Sequence, residues 1–259
     1  MTPLMQDVSR YEDWLRRQCD VVEADLNYKH QRMLKGPHTF LRATYFRWAK
    51  RVKYFAANCL EAPSVLAVGD CHVENFGTWR DGEARQVWGV NDFDDAAVMP
   101  YTLDLVRLAT SATLAQKREA PAPEVREAKA LVPSSWDWAR ERKSATSRFI
   151  SVATGAYRSP DPFLHVTGGF ILRRVAPESR KLDLEDVTKA GRGPHLLKAM
   201  GHDVGSIHAA HNRTPEVLEH LRHMPTRWLV DCAERSTAFV LEDFNAWRNL
   251  VPVDDPRHR

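Results

Sequence analysis

Cysteine is scarce: four residues in 259, Cys19, Cys59, Cys71 and Cys232. No two form a Cys-x-x-Cys pair, which excludes a thiolate zinc site of ordinary spacing and a disulfide framework, and suits a reducing compartment. No apolar run approaches the roughly 18 residues that a membrane-spanning helix needs, so no membrane partner is expected. The opening stretch MTPLMQDVSRYEDW has no apolar leader core, and a cytoplasmic location without a signal peptide is the expectation. Charge of neither sign prevails. The 37 Lys and Arg exceed the 34 Asp and Glu by only three, too little to indicate a nucleic-acid partner. What is plentiful is ordinary. Hydrophobic residues at 43% and charged residues at 27% are the proportions of a folded globular chain, and they exclude intrinsic disorder of its bulk. The length is that of one large domain or two small ones.

Periodicity divides the chain into four segments. Residues 1–60 read as helical. Val8, Tyr11, Leu15, Cys19, Val22 and Leu26 recur at steps of three and four, which predicts one amphipathic helix over 7–27. Lys35-Gly36-Pro37 breaks the pattern. A second helix is predicted over 38–57, with Arg42, Arg47, Lys50, Arg51 and Lys53 on a solvated face. Residues 61–116 hold a small β unit and a helix. The apolar run 64–68 reads as a buried strand. Strands over 76–79 and 85–90 are joined through Asp81-Gly82, a hairpin signal because glycine accepts positive φ. The helical period returns over 103–116. Residues 117–160 read as a linker or surface segment, with a linker or surface helix over 118–135 and loops from 147. Residues 161–259 are mostly helical, over 193–211 and 215–247, and the tail from Pro252 is expected to fray. Before those helices, Gly168-Gly169 inside an apolar stretch marks a hairpin or bulge. The class is α+β, mostly helical with a small β-hairpin unit.

One short stretch gathers the reactive groups: Gly69-Asp70-Cys71-His72-Val73-Glu74-Asn75, then the hairpin, then Asn91-Asp92-Phe93-Asp94-Asp95. A hairpin turns the chain back on itself, so Asn75 and Asp92 are expected to meet, with Asp70, at one edge of the sheet. Phosphoryl transfer needs such a meeting. A carboxylate accepts the proton of the attacking hydroxyl, while an amide oxygen and a second carboxylate hold Mg²⁺, a hard cation that prefers oxygen ligands. The bland alternative is an acidic surface loop around a hairpin. An Asp and an Asn five positions apart carry little information by themselves. The ordered set of strand, Gly-Asp-x-His-x-x-Asn, Asp-Gly hairpin and Asp-Phe-Asp is far rarer.

GDCHVENFG followed by VNDFDDAAVMPYTLDLVRLATS resembles the kinase-like superfamily of aminoglycoside phosphotransferases and choline kinases. It is more closely similar to a bacterial family called domain of unknown function 2252, to which KHQRMLKGPHTFLRATYFRWA, FILRRVAPESRKLDL and AMGHDVGSIHAAH also correspond. The resemblance implies a protein-kinase-like C-lobe, circularly permuted and lacking a full N-lobe. It implies Asp70 as catalytic base, Asn75 and Asp92 as metal ligands, Asp104 as a brace for the catalytic loop, and ATP and Mg²⁺ as cofactors, with a small-molecule hydroxyl or amine as substrate. His72, Asp94 and Arg42 are accessory candidates, and at most one of Glu74, Asp94 and Asp95 is expected to join the metal. The departure from the pattern is the nucleotide clamp. No Gly-rich phosphate loop precedes Asp70, and Thr167-Gly168-Gly169-Phe170 with Arg173 and Arg174 is the nearest substitute. His202, His208 and His211 have metal-compatible helical spacing, but a mixed surface and core role is the simpler expectation. Two alternatives remain open: a degenerate, non-catalytic kinase-like binding module, and a metal-dependent phosphoesterase beginning at Gly69-Asp70-x-His72.

Overall fold

The computed structural model describes residues 2–115, 125–143, 145–175 and 191–252. Helix α1 (Pro3–Gln18) starts where the Thr2 hydroxyl accepts the Met5 amide at 3.4 Å, with proline in its first turn. The single helix expected over 7–27 is in fact two. Helix α1 stops at Cys19, whose backbone is extended, and α2 (Glu23–Met33) begins after Asp20-Val21-Val22. Two β-branched residues behind an aspartate favour a non-helical turn. The helix expected over 38–57 is also broken, into α3 (Pro37–Ala43), α4 (Tyr45–Arg51) and 3-10 turns at Val52–Tyr54 and Ala57–Glu61. Thr44, at the break, turns its hydroxyl onto the Phe40 carbonyl at 2.7 Å, a bond that competes with the helical ladder.

Strand β1 (Ser64–Ala67) comes next, and a 3-10 turn at Val73–Asn75 leads into the hairpin of β2 (Phe76–Arg80) and β3 (Gln86–Val90). The hairpin register runs from Phe76↔Val90 to Arg80↔Gln86. Strand β4 (Ala97–Pro100) pairs antiparallel with β1 and leads into α5 (Thr102–Leu114). The stretch 116–124 lies outside the described residues. Beyond it, 125–130 is neither linker nor surface helix but strand β5 (Val125–Ala130). Helices α6 (Ser135–Ala139) and α7 (Phe149–Ala153) follow. A hairpin of β6 (His165–Thr167) and β7 (Phe170–Val175) then turns on Gly168 and Gly169, both at positive φ. Strand β5 pairs with β7 at six positions, and that pairing overrides the helical leaning of Val-Arg-Glu-Ala-Lys-Ala. Helices α8 (Gly193–Ala209), α9 (Thr214–His223) and α10 (Trp228–Leu250) complete the fold. The helix expected over 215–247 divides at Met224-Pro225, because proline lacks an amide donor and restricts the residue before it.

The result is an α+β fold, mostly helical, with three small antiparallel sheets among the described residues. No described helix is long and apolar enough to cross a membrane. One core cluster joins α1, α3, α4, α5 and α10 around Trp48 and Trp247; a second joins β1, the hairpin and α8 around Phe93 and Met200.

The basic face of α4 turns inward, contrary to the expectation of a solvated face. Arg47 is buried and pairs with Asp243 of α10 at 2.9 Å and with Asp7 of α1. Lys50 and Arg51 reach the same Asp7 at 2.9 and 2.8 Å. Burial would raise the Asp7 pKa, but the three cations outweigh it and hold the carboxyl below its ordinary value. Of residues 47, 50, 51 and 53, only Lys53 is exposed.

Candidate functional site

The loop after β1 is held from beneath by α5. Asp104 is fully buried, and its carboxylate accepts the Val68 and Gly69 amides at 2.8 and 2.9 Å. The His208 ring of α8 approaches the same carboxylate at 2.7 Å, which assigns His208 to the core. Gly69 has φ of 86°, and a Cβ there would lie 2.0 Å from the Asp95 carbonyl oxygen. Only glycine fits, and its close approach brings the Asp70 loop against the 91–95 loop.

Asp70 projects from this crossing. Its Oδ1 accepts Arg107 Nε at 3.0 Å and Nη2 at 2.7 Å, and its Oδ2 lies 3.8 Å from His72 Nε2. Burial raises the Asp70 pKa, and the Arg107 guanidinium offsets only part of that rise. Arg107 is itself buried. Its Nη2 also donates to the Leu41 carbonyl at 2.6 Å, and its guanidinium sits 5.2 Å and 5.3 Å from the Tyr45 and Trp48 rings.

The hairpin brings Asn75 and Asp92 together, as the sequence predicts. Asn75 Nδ2 donates to the Asp92 carbonyl at 3.0 Å and to the Asp70 carbonyl at 3.3 Å. Among the described residues, Asn75 Oδ1, Asp92 Oδ1 and the neighbouring Asp94 Oδ1 are buried side-chain oxygens with no hydrogen-bond partner. Such orphaned acceptors are costly unless something binds them, and oxygen donors of this kind suit Mg²⁺. The donor set therefore fits the metal that the resemblance implies, although no group of three or more His, Cys, Asp or Glu among the described residues is arranged to hold one.

The other oxygen of Asp92 is already engaged. Lys129 of β5 donates to Asp92 Oδ2 at 2.7 Å and to Asp94 Oδ2 at 2.6 Å, and Arg173 of β7 lies 3.3 Å from Asp92 Oδ2. Burial pushes Asp92 up, but Lys129 and then Arg173 outweigh it and hold its pKa far down. Asp94 is pushed up, by burial first and by the Asp92 charge second. Asp95 accepts the Ser135 amide at 2.7 Å, and burial, followed by the Asp70 charge, raises its pKa to about 6.

Two of the accessory candidates, Arg42 and His72, contact each other. Arg42 donates to Glu74 and, through Nε, to His72 Nε2 at 3.3 Å, while His38 Nδ1 lies 3.6 Å from Glu74. Burial, then Arg42, pushes the His72 pKa well down. Glu74 therefore faces Arg42, and among the described contacts it makes none with Asp92.

The structure thus gathers Asp70, Asn75, Asp92, Asp94, Arg173, His72 and Arg42 around one loop crossing. The Arg174 side chain lies outside the described residues. Two site residues escape sequence reasoning. Lys129 gives no signal inside a charged stretch read as a linker. Arg107 gives a faint one, as a cation in the apolar period of LDLVRLATS.

A family model described as an uncharacterised protein conserved in bacteria (DUF2252) matches residues 18–137. That stretch includes Asp70, Asn75, Asp92, Arg107 and Lys129, but not Arg173 or His208. No curated protein and no solved structure matches the chain.

Proposed function

We propose that this chain is a kinase-like, Mg²⁺-dependent phosphotransferase that passes a phosphoryl group from ATP to a hydroxyl or amine of a small molecule. The observation that carries this reading is the pair of buried oxygens, Asn75 Oδ1 and Asp92 Oδ1, that have no hydrogen-bond partner among the described residues, on residues hydrogen-bonded to each other beside Asp70. Asp70 is the base. Arg107 holds its Oδ1, which leaves Oδ2 to accept the proton of the attacking group. Asn75 and Asp92 are the residues that hold Mg²⁺, which when bound neutralises charge on the phosphates. Lys129 and Arg173 supply cations at the same edge, and the charge-assisted bonds they make to carboxylates are of the kind they make to phosphate.

One observation favours a second reading, a non-catalytic kinase-like binding module. The Lys129 ammonium bridges Asp92 and Asp94, and so supplies from within the chain the charge that a metal would bring.

A thermal-shift panel of nucleotides with and without Mg²⁺ tests both, since a ligand of the folded state raises the melting temperature by mass action. A shift by Mg-ATP together with phosphate transfer supports the phosphotransferase. A shift without turnover selects the binding module. No shift with any nucleotide removes both.

A further inference from the structure

A second reactive centre lies away from the site, between the 3-10 turn Ala57–Glu61 and helix α10. Cys59 and Cys232 are 173 positions apart, yet their sulfurs lie 3.4 Å from each other, and both residues are fully buried. The pair is set in a polar frame. Arg235 Nη2 donates to Cys232 Sγ at 3.2 Å, and the Cys232 thiol donates to Asn58 Oδ1 at 3.6 Å. Arg235 Nε is fixed by the Phe55 carbonyl at 2.7 Å, and the Cys59 carbonyl accepts Thr102 Oγ1 at 2.8 Å. A guanidinium held against one sulfur, with a second thiol hydrogen-bonded to it, is the environment that stabilises a thiolate.

We propose that Cys59 and Cys232 are an oxidisable dithiol that a hydroperoxide converts to an intramolecular disulfide. The Cys232 thiolate attacks one peroxide oxygen. The O–O bond breaks, the other oxygen takes a proton and leaves as water (or an alcohol), and Cys232 becomes a sulfenic acid. The Cys59 sulfur, losing its proton, then attacks the Cys232 sulfur and expels the oxygen as a second water. Two thiols lose two hydrogens and two electrons, and the peroxide is reduced. A disulfide bond is about 2.05 Å long, so closure asks the sulfurs to approach by little more than an ångström, with no movement of distant chain segments towards each other.

The four cysteines differ in the way this step needs. The hydrogen bond from Cys59 and then the Arg235 guanidinium pull the Cys232 thiol below its ordinary pKa, against the effect of burial. Burial raises Cys19 and raises Cys71 well above the ordinary value. Cys59 is raised, chiefly by its hydrogen bond with Cys232, and the Arg235 guanidinium contacts the Cys232 sulfur, which makes Cys59 the resolving partner.

The test uses the whole chain. The reduced protein is treated with hydrogen peroxide, unfolded in an alkylating agent and weighed, then digested and mapped. The expected result is an intact mass carrying two alkyl groups instead of four, a Cys59–Cys232 linked peptide, and full reversal by dithiothreitol. Cys59→Ala should give no linked peptide and leave sulfenic acid at Cys232, which a dimedone reagent traps. If four thiols still alkylate after peroxide, or if oxidation falls on Cys19 while Cys59 and Cys232 stay reduced, the proposal is overturned. The wild-type measurement decides the matter even where the buried substitution disturbs folding.

Discussion

Arg107 grips one oxygen of Asp70 with both Nε and Nη2, at 3.0 and 2.7 Å, while lying entirely out of solvent against the Tyr45 and Trp48 rings. Asp70 is therefore more than a loop residue. It compensates a buried guanidinium, and that guanidinium fixes which oxygen remains for chemistry. The aromatic rings add a cation–π contribution that a lysine, with a single point charge, would meet less well.

This pairing shapes the expected behaviour of Asp70→Asn. The substitution keeps the size and removes the charge. In a phosphotransfer assay, turnover should fall by a factor on the order of 10²–10⁴, with nucleotide affinity little changed. The Arg107 ion pair is lost at the same time, so stability should fall by about 1–3 kcal/mol, measured by urea denaturation. Unchanged stability would mean that Asp70 does not compensate Arg107 in solution.

Under the proposed reading, Lys129 and a metal would compete for the same carboxylates. Lys129→Met removes the ammonium that Asp92 and Asp94 share. The expected result is Mg²⁺-induced thermal stabilisation at about tenfold lower ion concentration than in the wild type, equivalent to about 1.4 kcal/mol. Asp92→Asn should abolish the stabilisation. If both variants respond to the ion as the wild type does, Asp92 is not a ligand.

Asp95 sets a pH dependence whose sign is opposite to that of a salt-bridged carboxylate. Its pKa is raised to about 6 from the ordinary 3.8, so between these values the folded state binds more protons than the unfolded chain. Its contribution to stability is greatest in acid and declines as pH rises through that window. Asp95→Asn keeps an acceptor for the Ser135 amide without the charge. The variant should match the wild type near pH 4 and exceed it by on the order of 1–2 kcal/mol at pH 8. Urea denaturation at the two pH values measures the difference, and a gap that stays constant with pH would contradict the assignment.

Gly69→Ala should be severe for a site with no side chain. The backbone has φ of 86° and the new Cβ would fall 2.0 Å from the Asp95 carbonyl oxygen. Backbone strain and steric overlap add, for a cost of about 3 kcal/mol or more. A thermal melt would show this as a lowered midpoint, whereas Gly82→Ala, in open space, serves as the mild control.

Local signals in the sequence determine the β1 strand, the β2–β3 hairpin and the meeting of Asn75 with Asp92, because each depends on residues close in the chain, although the positive φ of the hairpin turn falls on Ala84 and not on Gly82. The Gly168-Gly169 hairpin is legible for the same reason. Tertiary structure alone decides the rest. Lys129 reaches Asp92 because β5 pairs with β7, a strand some 40 positions later, and nothing within Val-Arg-Glu-Ala-Lys-Ala announces that pairing. Arg47 faces inward because Asp7 and Asp243, from opposite ends of the chain, converge on α4, so a stripe that looks solvated by periodicity becomes an internal ion-pair network. Arg107 becomes the partner of Asp70 through the packing of α5 beneath the loop. Periodicity reports which residues share a face, but which partner covers that face is set by contacts between distant segments, and those contacts place the charges of this site.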